Sequence, residues 1–243
     1  MNEIFDLDTI AGFYPRKKAD ISLKKLNKVL KSHIVRRSCL VSARGVFYDS
    51  RDGNEETLVW AEASRVDCFS QFTPVGTVDM RNFEGEDVYI QSLRVRGVRI
   101  WRLFPDEQGW DCTHPGFISF LDCLDGSGDI LYMPGKLSSI KSAASGRDLR
   151  IIVDTHFYNL TDTLFSIEPG DGFFLSTRRL HGPGVIKKIC EKFGSERMLF
   201  ASGSPLMSLS GALAIVRNAD LSVEEEANIL GGNLSQMLGG RAL

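Results

Sequence analysis

The sequence has no long apolar run, no large charge excess and no paired cysteine motif. Within its 243 residues, no window approaches the roughly 18 consecutive apolar residues that a membrane-spanning helix requires. The formal net charge is -2, so no global positive excess indicates a nucleic-acid partner. The five cysteines are scattered and odd in number, unlike a disulfide framework or a paired zinc site. We therefore predict a protein with neither a membrane nor a nucleic-acid partner.

Several catalytic signatures are also missing. The Gly-x-Ser-x-Gly turn of serine hydrolases does not occur, and the glycines do not form a dinucleotide fingerprint. Cys112 and His114 lie in a loop without an evident orienting partner, which disfavours a nucleophilic cysteine. The first thirty residues lack the apolar core of a signal peptide, so we expect a cytoplasmic protein.

The residues that are present indicate a single (β/α)8 barrel spanning residues 1-243. Hydrophobic residues make up 43% and charged residues 25%, as in ordinary globular domains. Eight short apolar runs are spaced widely enough for a crossover helix between successive strands, the pattern of repeated βα units. These runs are Ile4-Phe5, Cys39-Val41, Cys68-Phe69, Val98-Trp101, Ile130-Tyr132, Ile151-Val153, Gly172-Leu175 and Met198-Phe200.

Helical patterns fall between most of these runs. We predict helices over 21-30, 55-64, 117-124, 138-145, 185-193 and 211-218. Residues 74-96 show little helical period and predict a short or irregular crossover, and residues 156-172 resemble a loop. The lysine- and arginine-rich segment 16-37 is typical of a solvated amphipathic helix.

The C-terminal fifth carries the most distinctive pattern. Met198-Ala201 is an apolar run of the kind found in a fully covered strand, and Ser202-Gly203-Ser204-Pro205 ends it with small, turn-forming residues. Ser222 is a favourable N-cap for a helix whose first turn holds three glutamates, Glu224 to Glu226.

This segment resembles the amidohydrolase-related group of TIM-barrel hydrolases. In that group an apolar strand ends in Gly-Ser-Asp-x-Pro, and a Leu-Ser/Thr-x-Glu-Glu helix start and an Ile-Leu-Gly-x-Asn ending follow. Residues 201-205, 221-225 and 229-238 keep this order. Gly203 stands where the group usually has a metal-associated aspartate. The segment 178-183, Arg-Arg-Leu-His-Gly-Pro, resembles a branch of the group with Gly-Ser-Gly-x-Pro.

The resemblance also implies where a metal would bind, and this chain departs from that pattern. Relatives begin with Asp-x-His-x-His, whereas this chain places Asp6, Asp8 and Ile10 at those positions. Met133 takes the place of the histidine that relatives carry on strand five, and its thioether is a poor zinc ligand. We therefore expect no standard metal centre and no cofactor. If zinc or manganese binds, Asp6, Asp8 and His156 are the expected ligands.

Polar residues after the apolar runs are the candidate site residues, since active sites of such barrels lie at the C-terminal ends of the strands. This rule nominates Asp6, Asp8, Ser42, Gln71, Thr73, Arg102, Phe104, Met133, Asp154, His156, Ser176, Arg178, His181 and Ser202 to Ser204.

From this set we predict roles for binding and for proton transfer. Arg102, in a run that resembles the group's strand-four signature, suits a substrate carboxylate, and Arg178 and Ser202 are further substrate-binding candidates. Pairing of Arg102 with Asp6 or Asp154 as scaffolding is the alternative.

His156 and His181 are the candidate acid/base groups, supported by Asp6 and Asp8. A structural role for His156 and a solvent-facing position for His181 stay open at this point.

Two functions follow from these observations. The first is a metal-independent hydrolase or decarboxylase acting on a small carboxylated substrate such as a lactone or cyclic amide. The second is a catalytically silent barrel that binds a ligand or assembles with partners, because Ile10, Met133 and Gly203 all depart from the ligand positions. A homodimer is a further expectation from the group.

Overall fold

Eight parallel strands form one sheet in the order in which they occur along the chain. The computed structural model describes residues 3-16, 18-67, 69-85, 87-168 and 170-239. The strands are β1 (Phe5–Ala11), β2 (Arg37–Ser42), β3 (Gln71–Gly76), β4 (Ile100–Arg102), β5 (Ile130–Pro134), β6 (Arg150–Asp154), β7 (Phe173–Ser176) and β8 (Met198–Leu199).

Contacts between the first strand and the residues at the end of the last close the sheet. The Leu7 amide donates to the Phe200 carbonyl at 2.9 Å, and the Ile10 amide donates to the Ser204 carbonyl at 3.0 Å. Thr9 and Ser204 form a parallel bridge. The predicted (β/α)8 barrel is therefore confirmed.

Helices follow the strands around the barrel. The α-helices are α1 (Leu23–Ser32), α2 (Ala43–Phe47), α3 (Ser50–Asp67), α4 (Asp87–Val95), α5 (Pro105–Gln108), α6 (Pro115–Leu124), α7 (Leu137–Ala143), α8 (Leu160–Ser166), α9 (Val185–Phe193), α10 (Leu209–Arg217), α11 (Val223–Ala227) and α12 (Asn233–Met237). Shorter 3-10 turns span Met80–Asn82, Phe157–Asn159 and Ser195–Arg197, and a π-helix spans Asn228–Gly232. Among the described residues, no helix is long and apolar enough to cross a membrane.

The third strand differs from the sequence prediction. Cys68 lies outside the described residues, and β3 begins at Gln71. The sequence did not indicate this strand, because it contains Pro74 and Gly76, and both residue types are disfavoured inside strands. Gln71 and Thr73 consequently lie within β3 and not after it.

Two crossovers are also more helical than the sequence indicated. Residues 74-96, predicted as irregular, contain α4 with buried Ile90 and Leu93. Residues 156-172, predicted as a loop, contain the 3-10 turn Phe157–Asn159 and the seven-residue α8. Both helices are short, which weakens a period of 3.6 residues in the sequence.

The apolar core has two layers separated by the strands. Ile100, Ile130 and Ile152 belong to a cluster inside the barrel, whereas Trp101 and Leu131 belong to a cluster between the barrel and the helices. Side chains alternate between the two faces of a strand. The residues two positions after each interior isoleucine therefore share the inward face near the C-terminal end.

The crossing of α2 and α3 depends on two glycines. A Cβ added at Gly53 would lie 2.1 Å from the backbone nitrogen of Gly45 and 2.2 Å from its Cα. We expect Gly53→Ala to lower the free energy of unfolding by about 1 to 3 kcal/mol, since overpacking displaces the backbone. Gly211→Ala is the matched control, because its Cβ would meet only ordinary contacts inside α10, and it should stabilise by about 0.5 to 1 kcal/mol. Urea denaturation measures both, and equal effects would contradict the steric explanation.

Candidate active site

A buried carboxylate on the first strand lies at the centre of the site. Asp8 is 1% exposed, and its Oδ1 pairs with Nη1 of Arg102 from the end of β4. Its Oδ2 accepts a hydrogen bond from the Tyr132 hydroxyl at 3.1 Å and lies 3.1 Å from Nε of Arg178. The Arg102 guanidinium also lies 5.0 Å from the centre of the Tyr132 ring. Side chains from β1, β4, β5 and the end of β7 thus meet around one carboxylate.

A second buried carboxylate, at the end of β6, binds two consecutive arginines. Asp154 Oδ2 accepts from Nη1 of Arg178 at 2.8 Å and lies 3.2 Å from Nε of Arg179. Its Oδ1 accepts from the Ser176 hydroxyl at 3.3 Å, and that hydroxyl oxygen in turn accepts from the Arg178 amide at 3.1 Å. Arg178 therefore links Asp154 to Asp8.

The third carboxylate is paired with hydroxyl and amide groups instead of cations. Asp6 Oδ1 accepts from the amides of Asp8 at 3.1 Å and Ser202 at 2.9 Å. Its Oδ2 accepts from the Ser202 hydroxyl at 2.5 Å, and the hydroxyl oxygens of Ser202 and Ser204 are 2.8 Å apart. This hydrogen-bonded chain joins the N-terminal part of β1 to the turn after β8.

Burial perturbs the acid-base properties of these groups. Removal from water raises the pKa of Asp6 to about 7, although the Ser202 hydrogen bonds and the charge of Arg102 oppose the shift. Burial lowers the pKa of Arg102 to about 10 and raises that of Tyr132 to about 12. The pKa of the Asp6 carboxyl group therefore lies near neutral pH.

Three arginines face two buried carboxylates in this cluster when Asp6 is protonated. Arg102, Arg178 and Arg179 then face the carboxylates of Asp8 and Asp154. The one other carboxylate paired with these arginines in the described chain is the exposed Asp106, 3.8 Å from Nη2 of Arg179. The charges balance when Asp106 is counted, so the place where an anion could pair with these arginines is Arg179, in exchange for the exposed Asp106.

Of the seven residues to which the sequence assigned a role, the structure brings five together and leaves His156 and His181 outside. Asp6, Asp8, Arg102, Arg178 and Ser202 all belong to the cluster described above. The expectation that Arg102 pairs with Asp6 or Asp154 was wrong, since its direct partner is Asp8.

The two histidines make other contacts. Nδ1 of His156 accepts from the Tyr158 amide at 3.3 Å, and the His156 ring stacks on the Tyr158 ring at 4.7 Å. His156 thereby caps the 3-10 turn that follows β6. His181 is exposed. The sequence could not decide these orientations, because a strand-end position does not fix the direction of a side chain.

Tyr132 and Arg179 belong to the cluster but were not among the predicted site residues. Tyr132 is the inward-facing polar residue of β5, two positions after Ile130. Met133, nominated instead, belongs to the cluster between barrel and helices. Strict alternation along β5 would have indicated Tyr132. Arg179 directly follows Arg178 and had no separate signal in the sequence.

Two clefts lie near the C-terminal ends of the strands, and residues outside the carboxylate–arginine cluster line both of them. One, of about 350 Å³, lies beyond β4 and β5 and is lined by Pro105, Asp106, Trp110, Asp111, Cys112, Thr113, Met133, Pro134, Gly135, Lys136 and Ser139. The other, of about 500 Å³, lies beyond β1 and β2 and is lined by Gly12, Phe13, Arg44, Tyr48 and Glu56. Asp106 connects the first cleft to Arg179.

The described residues do not fit a divalent metal of the kind that the group implies. No group of three or more histidine, cysteine, aspartate or glutamate side chains is arranged to hold a metal ion within the described ranges. His156 therefore does not join Asp6 and Asp8 as a ligand set. Asp8 and Asp154 are already paired with guanidinium groups, and Asp6 with Ser202. A catalytic zinc ion generally needs three strong protein ligands in addition to water.

Comparisons with known proteins identify solved structures that have a similar fold. No family model and no curated protein matches the sequence. The solved structure of 2,6-dihydroxybenzoate decarboxylase from Rhizobium matches with a TM-score of 0.74 at 12% identity, covering 98% of this chain and 99% of that one. The chain therefore shares its (β/α)8 barrel fold with this decarboxylase. The resemblance inferred from the C-terminal motifs is thus confirmed for the architecture.

Two further neighbours hold small molecules in their crystals. A probable 2-pyrone-4,6-dicarboxylic acid hydrolase from Acinetobacter baumannii, with citric acid bound, matches with a TM-score of 0.72 at 13% identity, covering 98% of this chain and 100% of that one. Dihydroxybenzoic acid decarboxylase from Polaromonas, with manganese and the inhibitor 2-nitroresorcinol bound, matches with a TM-score of 0.68 at 15% identity, covering 100% and 98%. At such identities the likeness establishes the fold alone.

Proposed function

We propose that this protein is a hydrolase of the amidohydrolase-related type that acts on a small carboxylated substrate, such as a lactone or cyclic amide, without the standard metal centre. The observation that carries the proposal is the convergence of Arg102, Arg178 and Arg179 at the C-terminal ends of the strands, where Arg179 has an exposed carboxylate, Asp106, as a replaceable partner 3.8 Å away. Guanidinium groups bind carboxylates through two parallel hydrogen bonds, which fix both position and orientation.

The cleft beyond β4 and β5 would hold the ring of the substrate. Its walls include the flat apolar surfaces of Pro105 and Trp110, and its volume of about 350 Å³ suits a small molecule. The contact of Asp106, a wall residue of this cleft, with Arg179 supports a carboxylate site at that arginine. A substrate carboxylate that reached Arg179 would replace the weak, exposed contact with Asp106.

Proton transfer is assigned to Asp6 acting through Ser202. In hydrolysis, the oxygen of a water molecule bonds to the substrate carbonyl carbon while its proton passes through the Ser202 hydroxyl to Asp6. The ring C–O or C–N bond then breaks, and the proton returns to the leaving oxygen or nitrogen. A pKa of about 7 allows Asp6 to accept and release this proton near neutral pH. His156, half-buried at the end of β6, is the second candidate for this role.

Ligand binding and turnover test this function in two stages. We expect small ring carboxylates to raise the midpoint of thermal unfolding, and their methyl esters to have no effect. Arg179→Ala should weaken carboxylate binding about tenfold, because a hydrogen bond to a charged group contributes roughly 1.5 kcal/mol. Equal effects of acids and esters would contradict the assignment of a carboxylate site.

Hydrolysis of the binding compounds is then followed by the appearance of the ring-opened acid. Asp6→Asn should retain carboxylate binding and lose turnover, whereas His156→Ala should retain both. Loss of turnover in His156→Ala alone would transfer the acid/base role to His156.

A catalytically silent binding barrel is the alternative, and one observation favours it. Both candidate histidines lie outside the cluster, and Asp6 and Ser202 are almost fully buried. Carboxylate binding without turnover of any bound lactone, cyclic amide or ring acid would support this alternative.

A further inference from the structure

Gly203 provides space that an arginine side chain occupies. Its φ of +70° is in the left-handed region, and it lies in the turn after β8. A Cβ at this position would lie 3.0 Å from Nε of Arg178 and 2.9 Å from the sulfur of Met207. Any larger side chain here would have to displace the arginine, the methionine or both.

Arg178, the arginine beside Gly203, contacts both of the site's carboxylates that are paired with arginines. Its Nε lies 3.1 Å from Asp8 Oδ2, and its Nη1 donates to Asp154 Oδ2 at 2.8 Å. The Nε contact lacks hydrogen-bond geometry, and this nitrogen has no other acceptor in the described part of the chain. Asp8 belongs to β1 and Asp154 to β6, so Arg178 links two strands that are not neighbours in the sheet.

We propose that the Arg178 guanidinium, admitted by Gly203, is the fixed cation of this site and prevents a divalent metal from binding to Asp8 and Asp154. This inference deepens the proposed function in its account of the same site. It does not require turnover, because it concerns which cation the carboxylates hold.

The charge and shape of a guanidinium group and of a divalent metal ion explain why the first would exclude the second. A divalent ion would need the oxygen atoms that Arg102 and Arg178 already neutralise, and its double charge would lie directly beside two guanidinium groups. A guanidinium group keeps its charge at all ordinary pH values and presents several N–H donors in one plane. It can therefore orient an anionic substrate, while Asp6 supplies the proton exchange.

Metal titration of the wild-type protein and three variants tests this assignment. Binding of Mn²⁺ is followed by electron paramagnetic resonance of the free ion, and binding of Zn²⁺ by calorimetry. We expect the wild type to bind neither ion stoichiometrically at 100 μM metal, a concentration set well above typical site affinities. Arg178→Met should gain at least tenfold in affinity for one ion per chain, because Asp8 and Asp154 lose their shared cation.

Two matched variants separate a specific effect from a general one. Arg178→Lys keeps a positive charge and should stay like the wild type. Arg197→Met removes an arginine from a distant pair with Asp171 and should also leave metal binding unchanged. A gain in Arg197→Met equal to that in Arg178→Met would overturn the assignment.

The outcome does not depend on one variant folding. If circular dichroism shows that Arg178→Met is unfolded, Arg178→Gln provides the second test, since its neutral amide removes the charge but keeps hydrogen-bond donors beside Asp8 and Asp154, and it should likewise increase metal affinity. One tightly bound Mn²⁺ or Zn²⁺ per wild-type chain would refute the inference directly. In that event carboxylate binding could still be present, so this failure is distinguishable from failure of the proposed function.

Discussion

Replacing Arg102 with methionine is expected to lower the free energy of unfolding by about 3 to 5 kcal/mol, because removal of one partner of a buried ion pair leaves an uncompensated charge. Arg102 has a side chain only 7% exposed and pairs directly with Asp8, which is 1% exposed. Methionine preserves much of the apolar stem that packs near Phe104 but cannot neutralise Asp8. Arg178 and Tyr132 remain near the carboxylate and would recover only part of the loss.

Urea denaturation at pH 7 measures this effect, and a double-mutant cycle isolates the pair. Arg102→Met combined with Asp8→Asn should be clearly more stable than Arg102→Met alone, since the second substitution removes the unpaired charge. Arg44→Met is the matched control, because Arg44 and its partner Asp52 are both more than half exposed and such pairs contribute about 1 kcal/mol or less. A loss below about 1 kcal/mol in Arg102→Met, similar to that control, would show that Asp8 does not depend on this arginine.

Replacing Asp6 with asparagine is expected to remove a large pH-dependent contribution to stability. In the wild type, burial raises the pKa of Asp6 from 3.8 to about 7, so the folded state binds this proton more tightly than the unfolded state. The resulting stabilisation is complete below about pH 4 and is lost as pH rises through about 7. Its full size is roughly 4 kcal/mol, since one unit of pKa corresponds to about 1.4 kcal/mol.

Asparagine is a suitable probe because it resembles the protonated acid. Its amide oxygen can accept from the amides of Asp8 and Ser202, and its NH2 group can donate to the Ser202 oxygen. Relative to the wild type, Asp6→Asn should therefore gain stability between pH 4 and 7 and show a constant difference above that range. Denaturation of both proteins at several pH values gives this difference, in which the titrations of other groups cancel.

Ser202→Ala provides the complementary control. The hydrogen bonds from Ser202 lower the pKa of Asp6, so loss of the hydroxyl should raise that pKa and extend the pH-dependent window above 7. A difference between wild type and Asp6→Asn that does not vary from pH 4 to 8 would mean that Asp6 does not titrate near neutrality in the folded protein. The role of Asp6 in proton transfer would then have to be abandoned.

The sequence by itself determined the architecture and much of the composition of the site. Short apolar runs and intervening helical patterns predicted the barrel, because burial of strands and helices leaves periodic traces in hydrophobicity. The strand-end rule nominated Asp6, Asp8, Arg102, Arg178 and Ser202, although Asp6 and Asp8 lie within β1 and not after it, because this strand extends from Phe5 to Ala11. The departure at Gly203 also needed only the order of residues in the turn after β8.

Only the tertiary structure decided how these residues are paired. The Arg102-Asp8 pair joins β4 to β1, and its choice over Asp6 or Asp154 depends on how the barrel closes and which rotamers fit. The His156 ring accepts a hydrogen bond from the Tyr158 amide because a 3-10 turn follows β6. Packing determines which residues distant in sequence are in contact and how their side chains are oriented. The periodicity of a single sequence carries no information about such packing.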